Sequence, residues 1–413
     1  MLTPQKTAAK GLVPLHCPVG LAGGGPAESK KPLLALVGGP DIHSRIPLAR
    51  VLAQRFAVIF IGSSTAAGAA IEQAGFEWHC YPVVRSMNPA QVLRAFAAQW
   101  RILRATRPLL VHTFDTVPCV IGRLAAWAAG VPWIFGTLPG LGSLYTSTSA
   151  TVVVVRPLYQ VLQKLSSTIS AQTTFQNTAD MEEFVRRGVV PRSKCRLIPG
   201  SGVDIEKFRP DRTDRFSRSR IRRAVGASDE TVLVTCVSRL IKSKGLLELA
   251  EATVTARKTN ENVKVLVVGT PAVGSPEAMS EAEIKDLRSA VTLVGPRDDI
   301  VEILSSSDLF VLPTYYREGI PRVLLEAAAC GLPIITTNWP GCREVVRDGV
   351  NGLLVPPRDP EALAKAILLL TRDRYLRVKF GREGRRIVVG EFSIQRIAEQ
   401  TAEMYLEALR CRK

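Results

Sequence analysis

Short apolar runs separated by stretches of helical periodicity constrain this chain more than any other feature. Leu33 to Val37, Ala57 to Ile61, Leu109 to His112, Pro132 to Gly136 and Leu197 to Pro199 form one series. Thr231 to Val237, Val263 to Val268, Val291 to Val294, Leu309 to Leu312, Ile334 to Thr337 and Leu353 to Val355 form a second. Strands that alternate with helices predict parallel sheets, because a parallel pair needs a long crossover and a helix supplies it. The chain, at 413 residues, is too long for one ordinary core. The expected class is therefore α/β, with two Rossmann-like doubly wound domains facing across a cleft. That cleft would be lined by loops at the carboxyl ends of the strands, where open α/β sheets bind ligands. The polar, charged stretch from Arg209 to Arg223, just after "IPGSGVD" at Ile198 to Asp204, is read as the linker. The expected divisions are a disordered extension over 1–30, a first domain over 31–209 and a second over 210–390. Residues 391–413 close the chain as a helix, with Ile394, Ile397, Ala398, Tyr405 and Leu409 at near-helical spacing, packing back on the first domain.

A formal charge of +17 implies an acidic partner. The excess concentrates between Arg186 and Arg223, where only Phe208 and Phe216 interleave, so a base-stacking surface for nucleic acid is not expected. An anionic membrane surface is the sharper reading of that run, and a solvated basic face the blander one. Residues 88–107 predict a capped helix carrying Val92, Phe96, Trp100 and Leu103 on one side with Arg94, Arg101 and Arg104 flanking it. This pattern fits either a basic interfacial helix or a surface helix over a sheet. No apolar run reaches the ~18 residues that would span a bilayer. The eight cysteines lack zinc-like spacing and are read as free thiols in a reducing compartment.

Two acids stand eight positions apart in "YREGIPRVLLEAAACGLP", Tyr316 to Pro333. Pro321 suits a first helical position, and Gly331 with Pro333 signals the end. Glu318 would then sit at the mouth of a helix and Glu326 further along it, an arrangement that suits a ligand rich in hydroxyls better than a metal. Arg239 and Lys244 follow a β-branched strand and precede a helix starting near Gly245. Together with Arg322 and the N–H groups of the Pro321 helix, they would stabilise charge on a departing diphosphate without a divalent metal. Gly38 and Gly39, in "VGGPDIHSR", stand at a strand end where backbone can approach a ligand. They do not make a G-x-G-x-x-G fingerprint, so no nicotinamide cofactor is implied. His112 ends an apolar run and either faces the cleft or serves structure.

The segments "SRLIKSKG" and "PTYYREGIPRVLLEAAACGLPIITTNWPGCREVVRDGVNGLLVPPRDPEAL" resemble glycosyltransferase family 4, retaining enzymes of the GT-B fold. Glu318 and Glu326 match that family's E-x7-E pair. "VHTFDTVPCVIGRLAAWAAGVPWIFGTLPGLGSLY" and "FQNTADMEEFV" are similar to the branch that extends undecaprenyl-diphosphate-linked sugars, including N-acetylgalactosaminyltransferases. The resemblance implies a UDP-sugar donor, a polyprenyl-diphosphate-linked acceptor, and a hexose or N-acetylhexosamine as the group moved. It places Glu326 on the ribose, Glu318 on the donor sugar, Arg239 and Lys244 on the diphosphate, and Gly319, Ile320 and Arg322 in the donor site. Gly38 and Gly39 become donor or acceptor contacts, and no cofactor or metal is required. The enzyme would be cytoplasmic, peripheral on the inner face of the cell membrane. Where many members carry T-x-H-G, this chain has Thr137, Leu138, Pro139 and Gly140. The acceptor-side role of that histidine is then absent or supplied by another residue, such as Asp115 or His112. A UDP-sugar epimerase of the same fold and a non-catalytic basic scaffold are the alternative readings.

Overall fold

A computed structural model of the chain describes residues 31–82, 88–141, 150–272, 274–275 and 277–411, without the side chains of 150–152. The extension expected over 1–30, with Cys17, lies outside them. Seven parallel strands build the first sheet: β1 Leu33–Val37, β2 Ala57–Gly62, β3 Glu77–Cys80, β4 Leu110–Thr113, β5 Trp133–Leu138, β6 Gln172–Phe175 and β7 Cys195–Leu197. Their order is β3-β2-β1-β4-β5-β6-β7, with Val37 paired to Ile61 on one side and Thr113 on the other. The second sheet has six: β8 Val232–Val237, β9 Val263–Val268, β10 Thr292–Val294, β11 Leu309–Leu312, β12 Ile334–Thr337 and β13 Gly352–Val355, ordered β10-β9-β8-β11-β12-β13. Strand order reverses between β1 and β4, and again between β8 and β11. Each reversal opens a crevice at the strands' carboxyl ends.

The strands that periodicity identifies most clearly are those covered on both faces, such as β1 and β8, where a continuous apolar run is needed, although the edge strands β10 and β13 are identified as well. Two others escape it. β3, "EWHC", is an edge strand with no fully buried residue. β6, "QTTF", buries hydroxyls: Arg123 Nη1 donates to Thr173 Oγ1 at 3.1 Å, and Thr174 Oγ1 lies 2.7 Å from Thr137 Oγ1. The last strand of this sheet ends at Leu197, so Ile198 and Pro199 belong to the crossing between lobes.

Helices Ile46–Leu52 and Ile394–Arg410 cover one face of the first sheet. Pro89–Thr106 and Pro118–Ala128 cover the other, and Ala150–Ile169 packs beside Pro118–Ala128. Ile394, Ile397, Met404 and Tyr405 are buried in the first lobe's core although the chain reaches them through the second. The return crossing is pinned by Val203, whose N–H donates to Phe392 O and whose carbonyl accepts from Ile394 N, both at 2.9 Å.

The linker expected from Arg209 to Arg223 is shorter than that. Arg215–Ala224 is a helix, capped by Asp214 Oδ1 accepting from Phe216 N and Ser217 N. Two of its five arginines are structural: Arg222 is buried, donating to Asp308 Oδ2 at 2.8 Å and Ser306 O at 3.0 Å, and Arg218 donates to Asp308 Oδ1 at 2.9 Å. Arg186 and Arg187 pair with Glu183, Arg192 with Glu182, and Arg196 with Glu407. Much of the mid-chain basic run is thereby matched within the fold. Among the described residues no helix is long and apolar enough to cross a membrane, and the seven cysteines there are free thiols.

Candidate active site

A hollow of about 620 Å³ lies between the lobes. The loops after β1, β4 and β5 wall it on one side, and those after β8 and β11 on the other. On the second lobe, Arg239 stands exposed at the rim just beyond β8. Lys244 is buried, ion-paired to Glu318 Oε1, with its Nζ 5.6 Å from the centre of the Tyr316 ring. Burial pushes the Tyr316 phenol up, and the Arg239 charge beside it pulls in the opposite direction.

The Glu318–Gly319 turn is clamped by the first lobe. A Cβ on Gly319 would stand 2.0 Å from Gln176 Oε1 and 2.6 Å from the Pro139 carbonyl, so only glycine admits this contact. Gln176 Oε1 instead accepts from Ile320 N at 3.0 Å. Gly140, with φ of +132°, presses its backbone against Glu318, where a Cβ would lie 2.6 Å from the carbonyl carbon. The loop that departs from T-x-H-G thus serves as a packing surface for the turn that carries Glu318. Next to it, Arg317 Nη2 donates to Asp180 Oδ1 at 2.6 Å across the lobes. Asp180 is buried, which raises its carboxyl, while Asn177 and Arg317 oppose that shift.

Pro321 is the N-cap of helix Arg322–Ala329 and not its first helical residue, and the helix ends at Ala329. Its φ of −61° and ψ of 115° are extended, as its ring and position allow. No side chain caps this end, so its leading N–H groups and Arg322 are presented to the hollow. Glu326 stands behind them, its Oε1 3.6 Å from Arg322 Nη2. It is largely buried and does not line the hollow itself. Burial raises its carboxyl, with Arg322 and then Lys207 acting in the other direction.

On the first lobe, Asp115 Oδ2 accepts from Gly39 N at 3.0 Å. Both residues line a second hollow of about 670 Å³ within this lobe, and Asp41 and Asp115 are common to the two. Gln99 forms part of its wall: it is fully buried, and neither amide atom has a hydrogen-bond partner among the described residues. Arg45, also absent from the sequence reading, is buried beside the inter-lobe hollow, bonded to Ser201 Oγ and stacked 4.6 Å from the Phe114 ring centre. Burial lowers its guanidinium to about 10, with Asp115 opposing.

Besides Glu326, two expected residues stand outside both hollows. Gly38 lacks a side chain to admit Ile42, whose Cδ1 would be 2.6 Å from a Cβ there, and its carbonyl accepts from Tyr81 Oη at 2.9 Å. It does not line either hollow. His112 is 2% exposed, with Nδ1 2.5 Å from Tyr405 Oη and Nε2 2.7 Å from Thr137 Oγ1. Desolvation brings it down to about 3, and both ring nitrogens are engaged in the core instead of facing the cleft. Arg239, Lys244, Glu318, Gly319, Ile320 and Arg322 do share the inter-lobe hollow, with Asp115 opposite. Gln176 and Asp180 were legible only as a polar pair around the helix-capping Asn177, which bonds Asp180 N at 2.8 Å.

Residues 217–387 match the family model "Glycosyl transferases group 1", and residues 47–200 match "Glycosyl transferase 4-like domain". The N,N'-diacetylbacillosaminyl-diphospho-undecaprenol alpha-1,3-N-acetylgalactosaminyltransferase of Campylobacter jejuni is 29% identical over 84% of this chain and 91% of its own. The UDP-Gal:alpha-D-GlcNAc-diphosphoundecaprenol alpha-1,3-galactosyltransferase of Escherichia coli is 27% identical over 78% and 81%. In three dimensions, a glycosyltransferase of Rickettsia africae superposes with a TM-score of 0.76 at 19% identity, over 92% of this chain and 99% of that one. Anabaena HepE in complex with UDP-glucose gives 0.74 at 20% identity, over 91% and 99%. The fold is GT-B, and the chain belongs to the glycosyltransferases that join a 4-like first domain to a group 1 second domain.

Proposed function

We propose that this enzyme moves a hexose or N-acetylhexosamine from UDP to a saccharide carried on a polyprenyl diphosphate, with retention, at the cytoplasmic face of the membrane. The observation that carries this reading is the inter-lobe hollow, where the Lys244–Glu318 ion pair, Arg239 and the uncapped start of helix Arg322–Ala329 converge. Cations and free N–H groups at one end suit a diphosphate. A carboxylate between them suits sugar hydroxyls, because an ionised carboxylate only accepts hydrogen bonds. The names of the Campylobacter and Escherichia relatives specify undecaprenyl-diphosphate acceptors, and that of Anabaena HepE specifies a UDP-glucose complex.

In this reading Arg239, Lys244 and the helix start hold the diphosphate, and Glu318 polarises hydroxyls of the donor sugar. Glu326 meets the ribose once Arg322 swings toward phosphate. The acceptor enters from the first-lobe hollow past Asp115, which takes the acceptor-side position in place of His112. As the anomeric carbon's bond to the diphosphate breaks, the acceptor oxygen bonds that carbon on the same face. Its proton passes to a diphosphate oxygen, and UDP departs as the leaving group. Removal of a preorganised charge of this kind costs about 10²–10³ in turnover.

The test is transfer from a panel of UDP-sugars to a short-chain polyprenyl-diphosphate saccharide by the purified protein. Lys244→Ala and Glu318→Ala should each cut kcat by at least ~10² with the circular dichroism of the wild type. Full turnover by both folded variants would remove the assignment. Release of isomeric UDP-sugar without acceptor would instead identify an epimerase.

A further inference from the structure

Helix Ala150–Ile169 has its polarity reversed for a surface helix. Its inner side is polar: Tyr159, Gln163, Ser166 and Ser167 are buried, with Ser166 and Ser167 hydroxyls donating to the Gln163 carbonyl at 2.9 and 2.8 Å. Its outer side is apolar. Val154, Leu158, Val161 and Leu165, spaced i, i+4, i+7 and i+11, are 77, 58, 63 and 50% exposed, and Val153 beside them is 48% exposed. That spacing makes one continuous stripe along the helix. Trp127, on the adjoining helix Pro118–Ala128, and Leu93, on Pro89–Thr106, extend the apolar exposure over the same side of the first lobe.

Charge decides what covers it. Across these three helices there are six Arg or Lys residues, of which only Arg123 is buried, and no Asp or Glu. Arg94, Arg101, Arg104 and Lys164 are exposed. A second copy of the chain would bring the same cations against themselves, whereas an anionic surface complements them. No described helix is long and apolar enough to cross a bilayer, so a helix of this kind meeting one would lie in the interface plane. The sequence alone fits residues 88–107 either to such a role or to a surface helix over a sheet, and that helix turns Ala95 and Leu103 into the core.

We propose that the outer face of helix Ala150–Ile169 docks on an anionic phospholipid bilayer, the Val154–Leu165 stripe immersed and the flanking cations at the headgroups. The docked helix also touches the site. Tyr159 Oη donates to the Thr116 carbonyl at 3.2 Å, next to Asp115, which the two hollows share. Membrane contact thereby holds the acceptor side of the enzyme close to the lipid surface. This last step rests on the proposed lipid-linked acceptor, while the docking itself does not.

The experiment compares the full-length protein with a Leu158→Glu, Val161→Glu double variant in sedimentation with vesicles of phosphatidylethanolamine and phosphatidylglycerol. Phosphatidylcholine vesicles serve as the neutral control. The wild type should partition onto the anionic vesicles and the double variant at least ~10-fold less, with an unchanged melting temperature because both side chains are exposed. Turnover on a short water-soluble acceptor should be the same in both, while turnover on a vesicle-borne acceptor falls in the variant. Equal vesicle binding by the two proteins overturns the proposal. So does a wild type that ignores vesicles and sediments as a dimer that the double substitution dissociates. Absence of transfer on every acceptor would count against the proposed function, and vesicle binding would still decide this inference.

Discussion

At His112, burial decides between the two roles the sequence leaves open, the cleft and the core, in favour of the core. Desolvation depresses its folded-state pKa to about 3, from an ordinary value of 6.5. The unfolded chain therefore binds more protons than the folded one between those values, so the contribution to stability is complete above pH 6.5 and is lost as pH falls toward 3. Urea titrations of the wild type should lose up to about 1.4 kcal/mol per pH unit below 6.5 from this group, and His112→Gln should flatten that slope. Glu326 has the opposite sign. Its buried carboxyl is raised above 4.5, so its ionisation disfavours the folded state as pH rises through the shifted value. Ribose hydroxyls donating to it would favour the ionised form. UDP affinity should therefore strengthen with pH across that window, and calorimetry on Glu326→Gln should give a flat profile. A wild-type profile as flat as the variant's would remove Glu326 from the nucleotide site.

The element that governs the site is the four-residue turn from Arg317 to Ile320, held from the other lobe by Asp180, Gln176 and the Pro139–Gly140 loop. Gly319→Ala should push these apart, because its Cβ has no room against Gln176. Turnover is expected to fall at least ~10-fold, since a displacement near 1 Å is enough to lose orientation, while the melting temperature moves by only a few degrees. Gln176→Ala reports the same contact from the other side, leaving the buried Ile320 N–H unpaired. Legibility at this scale followed burial. Apolar strands such as β9 and β11 stood out because both faces are covered, and β6 did not because its interior is filled by threonines that bond to Arg123 and Thr137. The arginine-rich run read as linker because composition cannot show that Asp308 and the carbonyls around it accept those guanidinium groups.

For the whole molecule, the helix Ile394–Arg410 and the contacts of Arg317 with Asp180 and of Ile320 with Gln176 join the lobes. A nucleotide lodged between them, as proposed, would bind only the folded state, and at 100 times its dissociation constant would add ~2.7 kcal/mol of stability. Differential scanning with UDP should shift the melting transition upward, and Lys244→Ala should shrink that shift. An unshifted wild-type transition across a full series of UDP-sugars would mean that the hollow holds something else. The alternation of strands and helices, the two lobes and the spacing of Glu318 and Glu326 are properties of neighbouring residues, so the sequence by itself determined them. Which of those groups share a hollow was decided only in three dimensions. His112 meets Tyr405 from 293 positions away, and Ile320 meets Gln176 from 144. Periodicity and capping signals reach a turn or two along the chain, whereas desolvation and lobe-to-lobe contact depend on what the completed core brings alongside.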